Sequence, residues 1–208
     1  MDHLNDVMNN LNAHQSTRIN NFMEHFYESI QGWADGIPDL YRLVAGNAAD
    51  GDHFVEVGSW RGKSSAFFAV ELVNSGKQVR FDCVDTWKGS PEHQEGGINF
   101  DASVLDDSLF NEFLANMKPV EGHYNPIRMT SAEAASLYED NSLDFVFIDA
   151  DHEYDSVMAD VAAWFPKVKP GGVIAGHDLP YPPVQQAVTK CFGNQFEEIS
   201  GCWVTTKQ

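Results

Sequence analysis

The sequence predicts a doubly wound α/β domain, and three observations carry that expectation. Strand-like and helix-like periods alternate from His53 to Phe192. The strand-like runs are short and almost wholly apolar, Leu143-Asp-Phe-Val-Phe-Ile148 the clearest, as a parallel sheet covered on both faces requires. Two closing runs, Phe196 to Ile199 and Cys202 to Thr206, are joined by Ser200-Gly201 and predict a hairpin that ends the sheet with an antiparallel pair.

The elements follow in order. Ser16 to Trp33 places Ile19, Phe22, Met23, Phe26, Tyr27 and Ile30 at helical spacing behind a Ser/Thr start. Ile37 to Ala49 reads as a second helix with Pro38 in its first turn, so residues 1–50 are expected to form a helical segment ahead of a domain covering 51–208. His53 to Val57 is a strand running into Gly58, and Gly62 to Val73 an apolar helix. Val79 to Val84 is the next strand. A loop rich in Gly, Pro and acids, Trp87 to Phe100, leads to a helix over about Ser103 to Met117. Tyr124 to Met129 reads as a strand and Ser131 to Tyr138 as a short helix. After Leu143 to Ile148 come a helix over Tyr154 to Phe165, a turn at Lys169 to Gly172, a strand at Val173 to Ala175 and a helix over Val184 to Phe192.

Composition removes several classes of function. The chain has 208 residues, 43% of them hydrophobic, enough for one core without staples. Thirteen Lys and Arg against thirty-one Asp and Glu leave a net charge of −18, which repels phosphate backbones and anionic membranes, so no nucleic-acid or membrane partner is expected. No apolar run reaches the roughly 20 residues of a membrane span, and the first twenty residues lack the pattern of a signal peptide. Three scattered cysteines, Cys83, Cys191 and Cys202, form no CxxC pair, and a reducing cytoplasm is the expected location. The acids are uneven. Between Lys88 and Lys118 there is no Lys or Arg, while Glu92, Glu95, Asp101, Asp106, Asp107 and Glu112 fall there.

Ligands of such sheets bind beyond the carboxyl ends of the strands. The first strand ends in Glu56-Val-Gly58-Ser59-Trp-Arg-Gly62-Lys-Ser64. Only Ser-Trp-Arg separates the two glycines, one residue short of a Walker loop, and Trp60 stands where a dinucleotide fingerprint needs its middle glycine. An acid, one residue and G-x-x-x-G suit a ligand with an amino acid and a nucleoside but no phosphate, since Glu56 would repel a pyrophosphate. The second strand ends at Asp85-Thr-Trp87, placing a carboxylate where a ribose diol would be held. Thr130-Ser131-Ala-Glu133 offers polar groups for an adenine edge, or a helix cap. Asp149-Ala-Asp151-His152 and Gly176-His177-Asp178 end two neighbouring strands. They should bring Asp149 and Asp178 into one crevice with both histidines, a set that suits a divalent cation. A helix cap by Asp151 and a structural hydrogen bond by His177 remain open.

The motif Phe54 to Ser64, Asp85, and Phe147 to Tyr154 followed by Trp164 to Asp178 together resemble the class I S-adenosylmethionine-dependent methyltransferases. The resemblance is to small bacterial enzymes related to the cephalosporin hydroxylase-like and macrolide-sugar O-methyltransferases. It implies a Rossmann-like sheet of seven strands with the last antiparallel. The similar catechol O-methyltransferases hold a divalent ion with an Asp after the fourth strand and an Asp-Asn pair after the fifth. Asp149 and Asp178 match the two aspartates, but Leu179 stands in place of Asn, with His177 as the neighbour that could substitute. The base of those enzymes lies three residues after the metal Asp, and the same offset reaches His152.

The expected function is O-methylation of a small hydroxylated acceptor. S-adenosyl-L-methionine is the cofactor, and Mg²⁺ or Mn²⁺ assists. The cofactor would meet Glu56, Gly58, Ser59, Gly62, Ser64, Asp85, Trp87, Ser131, Asp149 and Asp151. His152 and Asp149 would act on the acceptor, and Asp149, Asp178 and His177 would hold the ion. The residues leave two rivals open, a cofactor-binding sensor without turnover and a metal-dependent hydroxylase-like enzyme on the same scaffold. A homodimer is left open too, because the aromatic amino-terminal helix could cover its own sheet or a partner's.

Overall fold

The computed structural model describes residues 22–208. Its centre is a sheet of seven strands: β1 (His53–Val57), β2 (Arg80–Asp85), β3 (Asn125–Arg128), β4 (Leu143–Ile148), β5 (Val168–Gly176), β6 (Glu197–Ile199) and β7 (Cys202–Thr206). The spatial order is β3-β2-β1-β4-β5-β7-β6. Strands β1 to β5 pair in parallel, while β7 runs antiparallel to both β5 and β6. The expected doubly wound fold, with its antiparallel last strand, is what the chain forms.

Six helices cover the sheet: α1 (Ile37–Asn47), α2 (Lys63–Ser75), α3 (Ser108–Asn116), α4 (Ser131–Ala135), α5 (Tyr154–Trp164) and α6 (Pro182–Phe192). Alternation along β4 shows why both faces need cover. Phe145 and Phe147 join the core with Tyr41, Phe67, Phe68 and Phe113, whereas Val146 and Ile148 join Val157, Val161, Trp164 and Val184 on the other face. α1, α2 and α3 therefore lie on one side and α4, α5 and α6 on the other. No described helix is long and apolar enough to cross a membrane.

Three elements depart from expectation. The helix expected over Ser16 to Trp33 lies outside the described residues up to 21, and from Phe22 onward it is replaced by an irregular segment with one 3₁₀ turn, Tyr27–Ser29. The backbone of Met23 bonds twice to the Asn74 side chain (2.9 and 3.0 Å), and His25 stacks on Phe67 at 4.4 Å. The apolar side chains thus reach α2 from an extended strap, with no helix needed. The helix expected over Ser103 to Met117 is broken into a 3₁₀ turn, Ala102–Val104, and α3. Asp106 causes the break by accepting the Ser108 amide at 2.8 Å, which starts a new helix. Finally, the turn expected at Lys169 to Gly172 lies inside β5. The register with β4 jumps between Leu143↔Val168 and Phe145↔Val173, so the extra residues are absorbed as an irregularity.

Candidate functional site

The strand order reverses between β1 and β4, and there the strand ends leave a crevice. Gly58 and Asp149 pack against each other there, with the Asp149 amide donating to the Val57 carbonyl at 2.8 Å. A Cβ on Gly58 (φ +97°) would fall 1.9 Å from the Asp149 carbonyl oxygen, so glycine is required here by the neighbouring strand itself. Gly62 (φ +85°) closes the turn and opens α2.

Glu56 lies beneath this turn with no exposed surface. Tyr41 Oη donates to one oxygen at 2.8 Å, Ser59 Oγ donates to the other at 2.9 Å, and Ser65 Oγ makes a short bond to that same oxygen. Burial pushes the carboxyl up, and these hydroxyls pull it back down. Its side chain holds the turn from below and is filled by the chain's own donors, with Ser59 and Ser64 nearly buried beside it. Asp85 joins the two strand ends: Oδ2 accepts the Trp60 amide at 2.8 Å and Oδ1 the Trp87 amide at 2.6 Å. Burial raises its pKa against those amide bonds. A carboxylate has about four lone-pair sites, so two remain for a ligand.

Asp149 and Asp178 do converge, and both histidines lie beside them. His152 Nε2 is 3.0 Å from Asp178 Oδ2 and 3.6 Å from Asp149 Oδ1. Donor atoms of Asp149, His152 and Asp178 all fall within 4.8 Å of one another. The carboxylates of Asp149 and Asp178 beside it push His152 up to about 10 despite burial, while Asp178, although burial alone would raise it, is pulled well below the usual carboxylate range by His152 and His177. His177 Nε2 donates to the Asp35 carbonyl at 2.8 Å, while Nδ1 donates to Asp178 at 3.1 Å and lies 3.7 Å from Asp149. Burial lowers its pKa, but the two carboxylates outweigh this and carry it up to about 9. With both nitrogens turned to oxygen acceptors, His177 orients the carboxylates; among the described residues the cluster that offers free ligand atoms has His152 in place of the expected His177.

The two carboxylates are hard oxygen donors that fit Mg²⁺ or Mn²⁺, and the imidazole beside them, a borderline nitrogen donor, suits Mn²⁺ better than Mg²⁺. His152 Nε2 is buried and has no partner in line for a hydrogen bond, although two carboxylates flank it. That orphaned atom is what a cation would satisfy.

Three expected contacts point elsewhere. The Trp87 ring is fully buried against Phe110 and Phe113, and its Nε1 donates to the Trp60 carbonyl at 2.7 Å, so the ring braces the turn from within. Ser131 Oγ accepts from Trp164 Nε1 at 2.8 Å, between α4 and α5. Asp151 accepts from the Glu153 amide (3.1 Å) and Ser156 Oγ (2.9 Å), fastening the turn that leads into α5.

The Gly- and Pro-rich stretch from Lys88 to Asp101 reads from the sequence as a lid or acceptor loop, but which of its side chains reach the crevice was not legible there. His93 stacks on Trp60 at 4.4 Å, and Glu92 Oε1 lies 3.9 Å from His152 Nδ1 and 3.8 Å from His93 Nε2. Ser90 binds His93 Nδ1 through Oγ (2.7 Å) and through its amide (3.3 Å), so Nε2 carries the proton; burial holds this imidazole below its ordinary pKa.

The methyltransferase domain family matches residues 55–179. A stretch of 154 residues is 28% identical to uncharacterized protein y4gI of Sinorhizobium fredii (strain NBRC 101917 / NGR234), covering 74% of this chain and 16% of that much longer protein. Among solved structures, the O-methyltransferase NovP superposes with a TM-score of 0.63 at 19% identity, covering 83% of this chain and 80% of its own. A SAM-dependent O-methyltransferase from Thermotoga maritima gives 0.58 at 11% identity over 86% and 66%. The calicheamicin methyltransferase CalS11 gives 0.57 at 17% over 82% and 76%. At these identities the structures establish the fold. The family match spans most of the sheet and both strand ends that carry the aspartates, and the chain belongs to the S-adenosylmethionine-dependent methyltransferase domain family.

Proposed function

We propose that this chain transfers the methyl group of S-adenosylmethionine to a hydroxyl oxygen of a small molecule, with a divalent cation, Mg²⁺ or Mn²⁺, assisting. The observation that carries the reading is the Asp149–His152–Asp178 set, which sits across the strand-order reversal from the Gly58–Gly62 turn. NovP is described as an O-methyltransferase, which supports oxygen as the acceptor atom. Three unpaired cysteines fit a cytoplasmic setting.

When bound, the cofactor supplies an electrophilic methyl on a sulfonium and leaves as a neutral thioether. The turn from Gly58 to Gly62, with Ser59 and Ser64, receives its methionine part, and Asp85 accepts the ribose hydroxyls on the lone pairs that the two amides leave. Glu56 keeps the turn in shape. Asp149 and Asp178 hold the cation, whose charge would lower the pKa of an acceptor hydroxyl. His152 takes the hydroxyl proton at Nε2. Between two bare carboxylates it is already protonated, so it becomes a base only where their charge is neutralised. Loop 88–101 keeps water from the crevice, and much of the acceleration comes from position.

A second reading makes His152 Nε2 the third cation ligand, and its place within 4.8 Å of both carboxylates favours it. Titration calorimetry with S-adenosylhomocysteine should find one site per chain, weakened roughly 10- to 100-fold by Asp85→Ala, about 1.5–3 kcal/mol. Binding of NAD or ATP in its place would refute the cofactor reading. His152→Ala should lower turnover and leave thioether affinity unchanged. If Mn²⁺ affinity falls with it, His152 is a ligand.

A further inference from the structure

Two consecutive residues of the cofactor turn, Trp60 and Arg61, grip the loop over the crevice at two points. On the side of the sheet the turn is fastened to the end of β2, through the Trp60 amide to Asp85 and the Trp60 carbonyl to Trp87. On the side of the loop the Trp60 ring lies on His93. Arg61 holds the place where the loop returns. NH1 is 2.8 Å from Asp101 Oδ2 and donates to Gln31 Oε1 at 2.7 Å, NH2 donates to Ser103 Oγ at 2.8 Å, and Nε donates to Glu112 at 2.5 Å. The two grips are tied together, because the Asp101 amide donates to the His93 carbonyl at 3.1 Å. One guanidinium with only 10% of its side chain exposed thus joins the turn, the amino-terminal strap, the loop and α3. A planar fork can reach four acceptors at once; an ammonium cannot. The loop it holds carries Glu92 to His152.

We propose that Arg61, with Trp60 beside it, is the clamp by which the turn that receives the cofactor holds loop 88–103 over the crevice, so that cofactor seating and the shape of the acceptor site are coupled. Arg61 is a positioning residue, since it acts through Asp101 and Ser103. The coupling rests on the cofactor reading above, whereas the clamp does not.

Proteolysis of the full chain by a glutamate-specific protease tests both. Glu95 is exposed within the loop, and its cleavage reports local opening. Arg61→Lys keeps the charge and loses the fork; Asp101→Asn weakens the grip from the loop side, where a quarter of the side chain is exposed. Both should speed cleavage after Glu95 by about tenfold or more while the melting temperature moves by only a few degrees. S-adenosylhomocysteine should slow cleavage of the wild type and fail to slow it in Arg61→Lys, although calorimetry still detects its binding. Equal cleavage rates in wild type and Asp101→Asn would overturn the clamp, even if Arg61→Lys failed to fold. Ligand protection that survives Arg61→Lys would overturn the coupling. A wild type that binds no thioether would remove the cofactor reading and the coupling together, and the rates without ligand would still decide the clamp.

Discussion

Asp160, on the inner face of α5, lies 8% exposed near Ser131, and burial pushes its carboxyl up to about 6. That lies above the value of about 3.9 in an unfolded chain. The folded state therefore keeps the proton through the interval between them, and the stability this lends is lost as pH rises through 6. Ionised at neutral pH, the buried carboxylate costs up to roughly 3 kcal/mol. Asp160→Asn keeps the shape and a hydrogen-bonding group, so it should stabilise the chain by roughly 1–3 kcal/mol at pH 7.5 and little at pH 4. Urea titrations at the two pH values measure this, and an equal effect at both would contradict it. Glu56 is buried more completely than Asp160 and is met by three hydroxyls, whereas Asp82 is held low by His53, Asn125 and Tyr138. Partners, more than depth, separate Asp82 from the other two, both of which burial raises.

The amino-terminal helix α1 belongs to the same core as the sheet. Tyr41 stacks on Phe68 at 4.1 Å, meets Phe147 edge-on at 4.9 Å and donates its hydroxyl to Glu56. Tyr41→Phe leaves the ring contacts and removes one donor from a buried carboxyl, which should cost about 1–3 kcal/mol of unfolding free energy. Chemical denaturation should remain a single transition, as one core requires; a separate early transition for the amino-terminal part would argue otherwise. Where helices begin was legible when the cap was local, as in Thr130 and Glu133, which bond each other at the start of α4. Strap 22–36 was not legible, because its apolar spacing mimics a helix while its backbone is held by Asn74, far along the chain.

At the scale of the whole molecule, the chain carries a net charge of −18, and two cations beside the loop are engaged: Arg61 by Asp101 and Glu112, Arg128 by Asp107. Releasing counterions from a nucleic acid would have to overcome that field. Mobility-shift assays at about 150 mM salt should find no sub-micromolar complex with duplex DNA or RNA, and one that persisted in salt would count against a small-molecule acceptor.

The succession of strands along the chain, both covered faces and the strand ends that carry Gly58, Asp85, Asp149 and Asp178 could be read from the sequence. Burial follows the period of a strand or helix, and polar residues at the end of an apolar run have one place to go. Which of those side chains enter the crevice was decided by packing between distant segments. Trp87 turns inward because Phe110 and Phe113 make a pocket for its ring, and Asp151 turns to the start of α5 because Ser156 is within reach. His177 turns to the carbonyl of Asp35, and loop 88–101 comes over His152 because Trp60 and Arg61 hold it there. A local pattern sets where a strand ends. The direction of a side chain beyond that end depends on partners many residues away, and these meet only once the chain has folded.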